Sequence, residues 1–250
     1  MTNIFSKLYS NKKQALFFER DMSPDKSRKL KTDLAENLNI VNEYLYDCDD
    51  VITRIFYMGH TAKHKMALVY IDGMVAMDTV QNEVLKPLML FARQFPLEYT
   101  VGEKFFEMVK EGLLTAGDIK ETDNFGDVIL GILSGDTILF MDKLEKALVI
   151  STRGWEKRGV EEPSTEAVIR GPRDGFTETY RTNVALVRRR LKDPNLKVKT
   201  IKLGRHTRTD VGIMYIKGVA KPSIVDEVLK RLNTIDISCV LESGYIEQMI

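Results

Sequence analysis

Leu30, Leu34, Leu38, Val41 and Leu45 recur at spacings of four and three, the period of a helix with one buried face. Ser23-Pro24-Asp25 reads as its start: a hydroxyl cap, proline at the first helical position, then an acid facing the dipole. Val51 to Met58 alternates as a strand, a polar turn around His60 and Lys63 follows, and Met66 to Ile71 is a second strand. Asp78 and Gln81 form a capping box for the next helix, which should kink near Pro87. The order then returns. Asp174 is expected to cap a helix bearing Phe176, Tyr180, Val184, Val187 and Leu191, stopped by Asp193-Pro194. Lys197 to Leu203 and Val211 to Ile216 read as strands, and Pro222 opens a helix carrying Ile224, Val225, Val228, Leu229 and Leu232.

The two runs align residue by residue. Tyr70-Ile71-Asp72-Gly73 matches Tyr215-Ile216-Lys217-Gly218, Glu83-Val84-Leu85-Lys86 matches Glu227-Val228-Leu229-Lys230, and Asn37 falls opposite Asn183. The expected fold is therefore α/β: two related α/β lobes, duplicated helix-strand-strand-helix units, joined by a hairpin and a long charged loop. Asp123 opens a short helix (Phe125 to Leu133) ending at Gly135. A hairpin follows, Thr137 to Met141 with Ala147 to Thr152, and feeds the loop. The expected division is a basic, mobile tail over 1–22, an N-terminal lobe over 23–134 and a C-terminal lobe over 135–250.

Charge adds a local feature rather than a global one. Lysine plus arginine is 37 against 36 acidic residues, which gives no overall field for nucleic acid or membrane. Between Ser151 and Asp210 the balance is 15 basic to 8 acidic. Arg188-Arg189-Arg190 with Lys192, Lys197, Lys199, Lys202, Arg205 and Arg208 then reads as a basic face: solvated, set on anionic headgroups, or lining a nucleic-acid groove. No aromatic residue interleaves it, which removes base stacking, and no nucleic-acid partner is expected. Cys48 and Cys239 lie far apart and outside any CxxC pair, the usage of a reduced compartment. No apolar run reaches the roughly 18–20 residues of a membrane span. The first twenty residues lack the apolar core of a signal peptide.

Catalytic signatures are missing. There is no GxxxxGK[ST], no GxGxxG after a strand and no GxSxG elbow. His60 and His64 are four apart in a turn rather than on a helix, so a solvated pair is preferred to a metal site. No catalytic residue, metal or cofactor is expected. The stretch with specific physics is Gly171-Pro172-Arg173-Asp174-Gly175-Phe176, where tight backbone meets a helix N-terminus that favours an anion. The plainer reading leads: Asp174 fills that N-terminus as the cap, while Arg170 and Arg173 pair with Glu161, Glu162 or Glu166. Trp155, the only tryptophan, reads equally as packing or as a contact residue.

The run GWEKRGVEEPSTEAVIRGPRDGFTET, with LSGDT before it and ESGYIEQ near the end, resembles the A subunits of GerA-type spore germinant receptors. The resemblance covers nearly the whole chain. It implies the N-terminal region of a nutrient-sensing complex of the spore inner membrane. The resemblance also implies a membrane region after residue 250 and B-type and C-type subunits as partners, while the absent signal peptide and the cysteine usage favour the cytosolic (core) side for this region. A small-molecule germinant (amino acid, sugar or nucleoside) would be taken by Arg153, Trp155, Arg170, Arg173, Asp174 and Gly175, in or beside a cleft between the lobes. Glu161, Glu162, Arg188, Arg189, Arg190 and Tyr245 are the candidates for an assembly surface. Direct participation in sensing is favoured; an assembly platform without a ligand site is the alternative.

Overall fold

The structure is a computed structural model describing residues 24–58, 64–94, 102–154 and 175–250. Calls on the 1–22 tail, on His60, and on Trp155, Glu161, Glu162, Arg170, Arg173 and Asp174 fall outside those residues. The fold is α/β. Strands β1 (Val51–Met58), β2 (His64–Ile71), β3 (Ile119–Thr122), β4 (Thr137–Met141) and β5 (Ala147–Ile150) make one antiparallel sheet in the order β1-β2-β4-β5-β3. Alternation then sorts its residues onto two faces. Leu68, Tyr70, Leu139, Met141, Leu148 and Ile150 share one core, and Ala67, Val69, Ile71, Ile138, Phe140 and Ala147 share the other. Both faces are covered, which is why β2 and β4 read as continuous apolar runs rather than alternating ones.

Helices α1 (Leu34–Tyr44) and α4 (Phe125–Leu133) cover the second face. The first face is covered by α2 and α3. α2 runs Met77–Thr79, then a π-helical stretch Val80–Leu85, then Lys86–Gln94. α3 runs Glu103–Glu107 and ends in a second π stretch, Met108–Leu113. The start of α1 differs from the expected one: Asp33 caps it, accepting from the backbone N–H groups of Ala35 and Glu36, while Asp25 organises a separate turn with Ser27. Asp78 caps nothing, because α2 opens after Ala76 without a side-chain cap. Asn124, not Asp123, caps α4 through the Asp127 N–H. Pro87 does not break α2. Its missing N–H frees the Glu83 carbonyl, which accepts instead from the backbone N–H of Thr115 at 3.3 Å.

The rest of the chain is smaller in section. α5 (Tyr180–Arg190), β6 (Leu196–Leu203), β7 (Thr209–Ile216) and α6 (Pro222–Thr234) follow, then α7 (Ser243–Met249). β6 and β7 form a two-stranded antiparallel sheet. The hairpin β4–β5, placed by the sequence reading at the head of the second lobe, is paired into the first sheet through β2 and β3. A division after residue 134 therefore passes through one continuous sheet layer. α5 starts at Tyr180 after Thr179, without a side-chain cap, and Phe176 stands outside it, exposed.

Candidate functional site

The two sheets meet along a seam. Residues 47–49, just before β1, lie against the edge of β6: Val198 donates to the Asp47 carbonyl at 3.1 Å, and Asp49 N–H donates to the Val198 carbonyl at 2.9 Å. Asp47 is held at φ 57, a left-handed conformation that aspartate tolerates better than most residues. Its carboxylate meets Lys199 at 3.1 Å and accepts from the Tyr215 hydroxyl at 3.4 Å. Burial works against that carboxylate's charge, but hydrogen bonds from Tyr46 and Lys199 win and hold its pKa below the ordinary value.

Arg188 of α5 is fully buried at this seam. Its guanidinium is forked onto Asp50 at 2.7 and 2.8 Å and donates to the Leu196 carbonyl at 2.9 Å. Burial opposes the guanidinium's charge; the hydrogen bonds and charge of Asp50 outweigh it and raise the pKa. Lys197, also buried, donates to the carbonyls of Tyr44 at 3.1 Å and Pro194 at 2.8 Å. Desolvation pulls its pKa down, and the charges of Lys217 and Arg188 add to the fall.

The expected basic face is thus divided: part of it is paired within the chain, and Arg190, Lys192 and Arg208 are exposed. Arg188 and Lys197 are inside the seam, Lys199 serves Asp47, Lys202 pairs with Asp210 and Arg205 with Asp236. Lys197 and Lys199 lie on one side of β6 and Lys202 on the other, and a linear charge count cannot register which partner each meets.

Near the seam a cavity of about 440 Å³ opens between the end of β2 and helix α5. Asp72, Gly73 and the α2 start (Ala76 to Asp78) line one side; Thr179, Arg181, Thr182 and Arg189 of α5 line the other. Arg181 reaches Asp72 at 3.1 Å. Gly73, at φ 79, lets helix α5 approach here: a Cβ would stand 3.1 Å from the Arg181 carbonyl oxygen. Gly154 also lines the cavity and packs on Ala76 with no room for a side chain.

Of the predicted ligand residues, Arg153 is committed elsewhere. It forks onto the buried Asp136 at 2.7 Å through both Nε and Nη2 and bridges Val75. Gly175 lies in the segment leading to α5. Of the assembly candidates, Arg188 is a buried seam residue and so no surface contact, Arg189 faces the cavity, Arg190 is exposed at the end of α5, and Tyr245 is exposed on α7. Sequence reasoning missed Asp50, Asp72 and Arg181. Only the Tyr-Ile-Asp-Gly match pointed near them; Asp50 and Arg188 are 138 residues apart and carry no local signal. Among the described residues no group of three or more His, Cys, Asp and Glu is placed to hold a metal, and no helix is long and apolar enough to cross a membrane.

The chain is thus an α/β protein whose two units are clamped by a buried ion pair, with a charged cavity beside their junction. Residues 39–250 match the family described as Bacillus/Clostridium GerA spore germination protein. The chain belongs to that family. It is 36% identical to spore germination protein KA of Bacillus subtilis (strain 168) over 87% of this chain and 39% of that protein. With spore germination protein B1 of the same organism identity is 33%, over 88% of this chain and 44% of that one. The fold matches the N-terminal domain of the A subunit of the Bacillus megaterium spore germinant receptor GerK3, with TM-score 0.67, 34% identity, and coverage of 88% of this chain and 78% of that chain. The chain spans about four-tenths of the length of these curated relatives.

Proposed function

We propose that this chain forms the nutrient-responsive N-terminal region of a germinant receptor A subunit, and that a small charged germinant binds in the cavity between the β2–α2 loop and α5. The observation that carries this reading is the cavity itself. Its volume is within the several-hundred-Å³ range of small-molecule sites. Both lobes contribute walls, and Asp72 and Asp78 offer negative charge opposite Arg181 and Arg189. A ligand there touches both the loop that follows β2 and helix α5, so its binding free energy acts on the contact between the first sheet's unit and the second. The other receptor subunits at the spore membrane are the partners that would read that junction.

A second reading rests on the seam. Backbone pairing of residues 47–49 with β6, plus the forked Arg188–Asp50 pair, leaves no hinge between the sheets. That favours a rigid platform that transmits force between subunits and carries no ligand site. Ligand-observed NMR against amino acids, sugars and nucleosides separates the two. A hit abolished by Arg181→Ala and kept by Arg205→Ala supports the cavity. A hit indifferent to Arg181→Ala moves the site elsewhere. No binding at millimolar concentration leaves the platform.

A further inference from the structure

The helix-strand-strand-helix units repeat more than a pattern. In both, an asparagine in the first helix clamps the residue six positions earlier through backbone N–H and C=O: Asn37 on Lys31, Asn183 on Thr177. Val51 pairs with Ile71 and Leu196 with Ile216, and each second strand ends in a glycine at positive φ, Gly73 and Gly218. The numbering offset is 145 at those glycines and 144 at Glu83 and Glu227. The π stretch of α2, which holds one more residue per turn than an α-helix, accounts for the slip.

The units differ at one edge. β2 is flanked by β1 and by β4, which pairs Ile138 to Met141 against Val69 to Met66. The matching stretch of β7, Val211 to Met214, has only β6 beside it among the described residues. The loss shows in the side chains. Met74, under the Gly135 turn that leads into β4, is 1% exposed, while its counterpart Val219 is 60% exposed. Ile224, in the first turn of α6, is 58% exposed as well. Unpaired edges are normally blunted by charge or proline. β1 carries Arg54 and β3 carries Lys120 and Glu121, but Val211 to Ile216 carries neither charge nor proline.

We propose that the outer edge of β7 accepts an antiparallel, apolar strand from a different polypeptide, occupying the place that β4 holds against β2. Main-chain hydrogen bonds would supply affinity, and Val219 and Ile224 would supply the apolar seat for the strand's side chains. Among the described residues a second copy of this chain offers only its own β7 edge, and pairing of two such edges is the outcome that the concentration dependence below detects. Its β4 and β5 are flanked on both sides, and its β1 and β3 edges bear the charges just named.

The probe is a peptide of the segment Gly135 to Lys143, the natural occupant of the corresponding edge, and the readout is hydrogen exchange of this chain followed by mass spectrometry. The peptide is expected to slow exchange across Val211 to Met214, with Val219→Asp weakening its binding about tenfold or more while the thermal midpoint stays put. Ile224→Asp serves as a second variant with the same expectation. Unchanged β7 exchange with the peptide overturns the proposal. So does β7 protection in the peptide-free monomer, which would mean that the chain covers its own edge. Protection that rises with protein concentration alongside a dimer mass replaces the partner strand by a second copy.

Discussion

β2 and β7 make a controlled comparison: the same length, the same register with the preceding strand and the same terminal glycine, yet different surroundings. β2 is shut in by strands on both sides and by helices on both faces, and nearly every residue is buried. Among the described residues β7 keeps one strand neighbour, and most of its own residues are half-exposed. Equivalent local sequence therefore builds equivalent local geometry, while burial is decided by what the rest of the chain delivers. Stability should be distributed accordingly, with global unfolding governed by the first sheet and the seam, and opening at lower free energy in the β6–β7 unit.

The seam is where the comparison is most easily broken. Arg188→Ala leaves Asp50 buried without its partner and is expected to cost about 3–5 kcal/mol in urea unfolding; Arg188→Met with Asp50→Leu together should cost far less. The glycine pair sharpens the contrast next. Alanine at either position meets a left-handed backbone, costing roughly 1–2 kcal/mol, but Gly73→Ala also presses on the Arg181 carbonyl, whereas the space around Gly218 is open. Gly73→Ala should lower the thermal midpoint more than Gly218→Ala, and equal losses would show that the approach of α5 at Gly73 is slack. The asparagine clamps rank third. Asn37→Ala, at a buried site, should lose about 1–3 kcal/mol, and Asn183→Ala, half-buried and able to recruit water, about half of that.

Acid titration has the smallest expected effect. The folded-state pKa of Asp47 lies below its ordinary value of 3.8, so the unfolded chain takes up the proton first. Its contribution is complete above the unfolded pKa and is lost as pH falls through the folded one. Asp47→Asn should flatten the fall of the urea midpoint between neutral and about pH 3; an unchanged slope would show that Asp47 holds the seam only through its backbone.

Much of the architecture was legible because periodicity carries it. The eight-residue strands, the hairpin at 137–150 and the proline start of α6 all follow from alternation and turn chemistry. Helix starts were less legible. Asp25 and Asp33 are both competent caps, and what selects Asp33 is tertiary: the Leu34 N–H reaches Asp142, 108 residues away. The π stretches left no mark in the apolar period, and the one in α2 shows only as the one-residue slip between the two runs. For the candidate site, composition announced charge around α5 and β6 but could not assign it. Arg188 and Arg189 are neighbours in sequence, yet one is locked on Asp50 and the other lines the cavity. Only long-range partners separate them.

The placement of residues 47–49 along β6 has a kinetic side. Those residues leave the ribosome about 150 positions before the strand they dock, and synthesis runs at several residues per second. The first sheet and its waiting backbone groups are therefore available before Val198 is made. β6 meets a ready template, so the long-range step becomes addition to an ordered surface instead of a search between two loose segments. The late-made unit inherits its starting point from the early one, and a change that delays the first sheet, such as a weakened β2–β4 pairing, should delay the second without touching any of its residues.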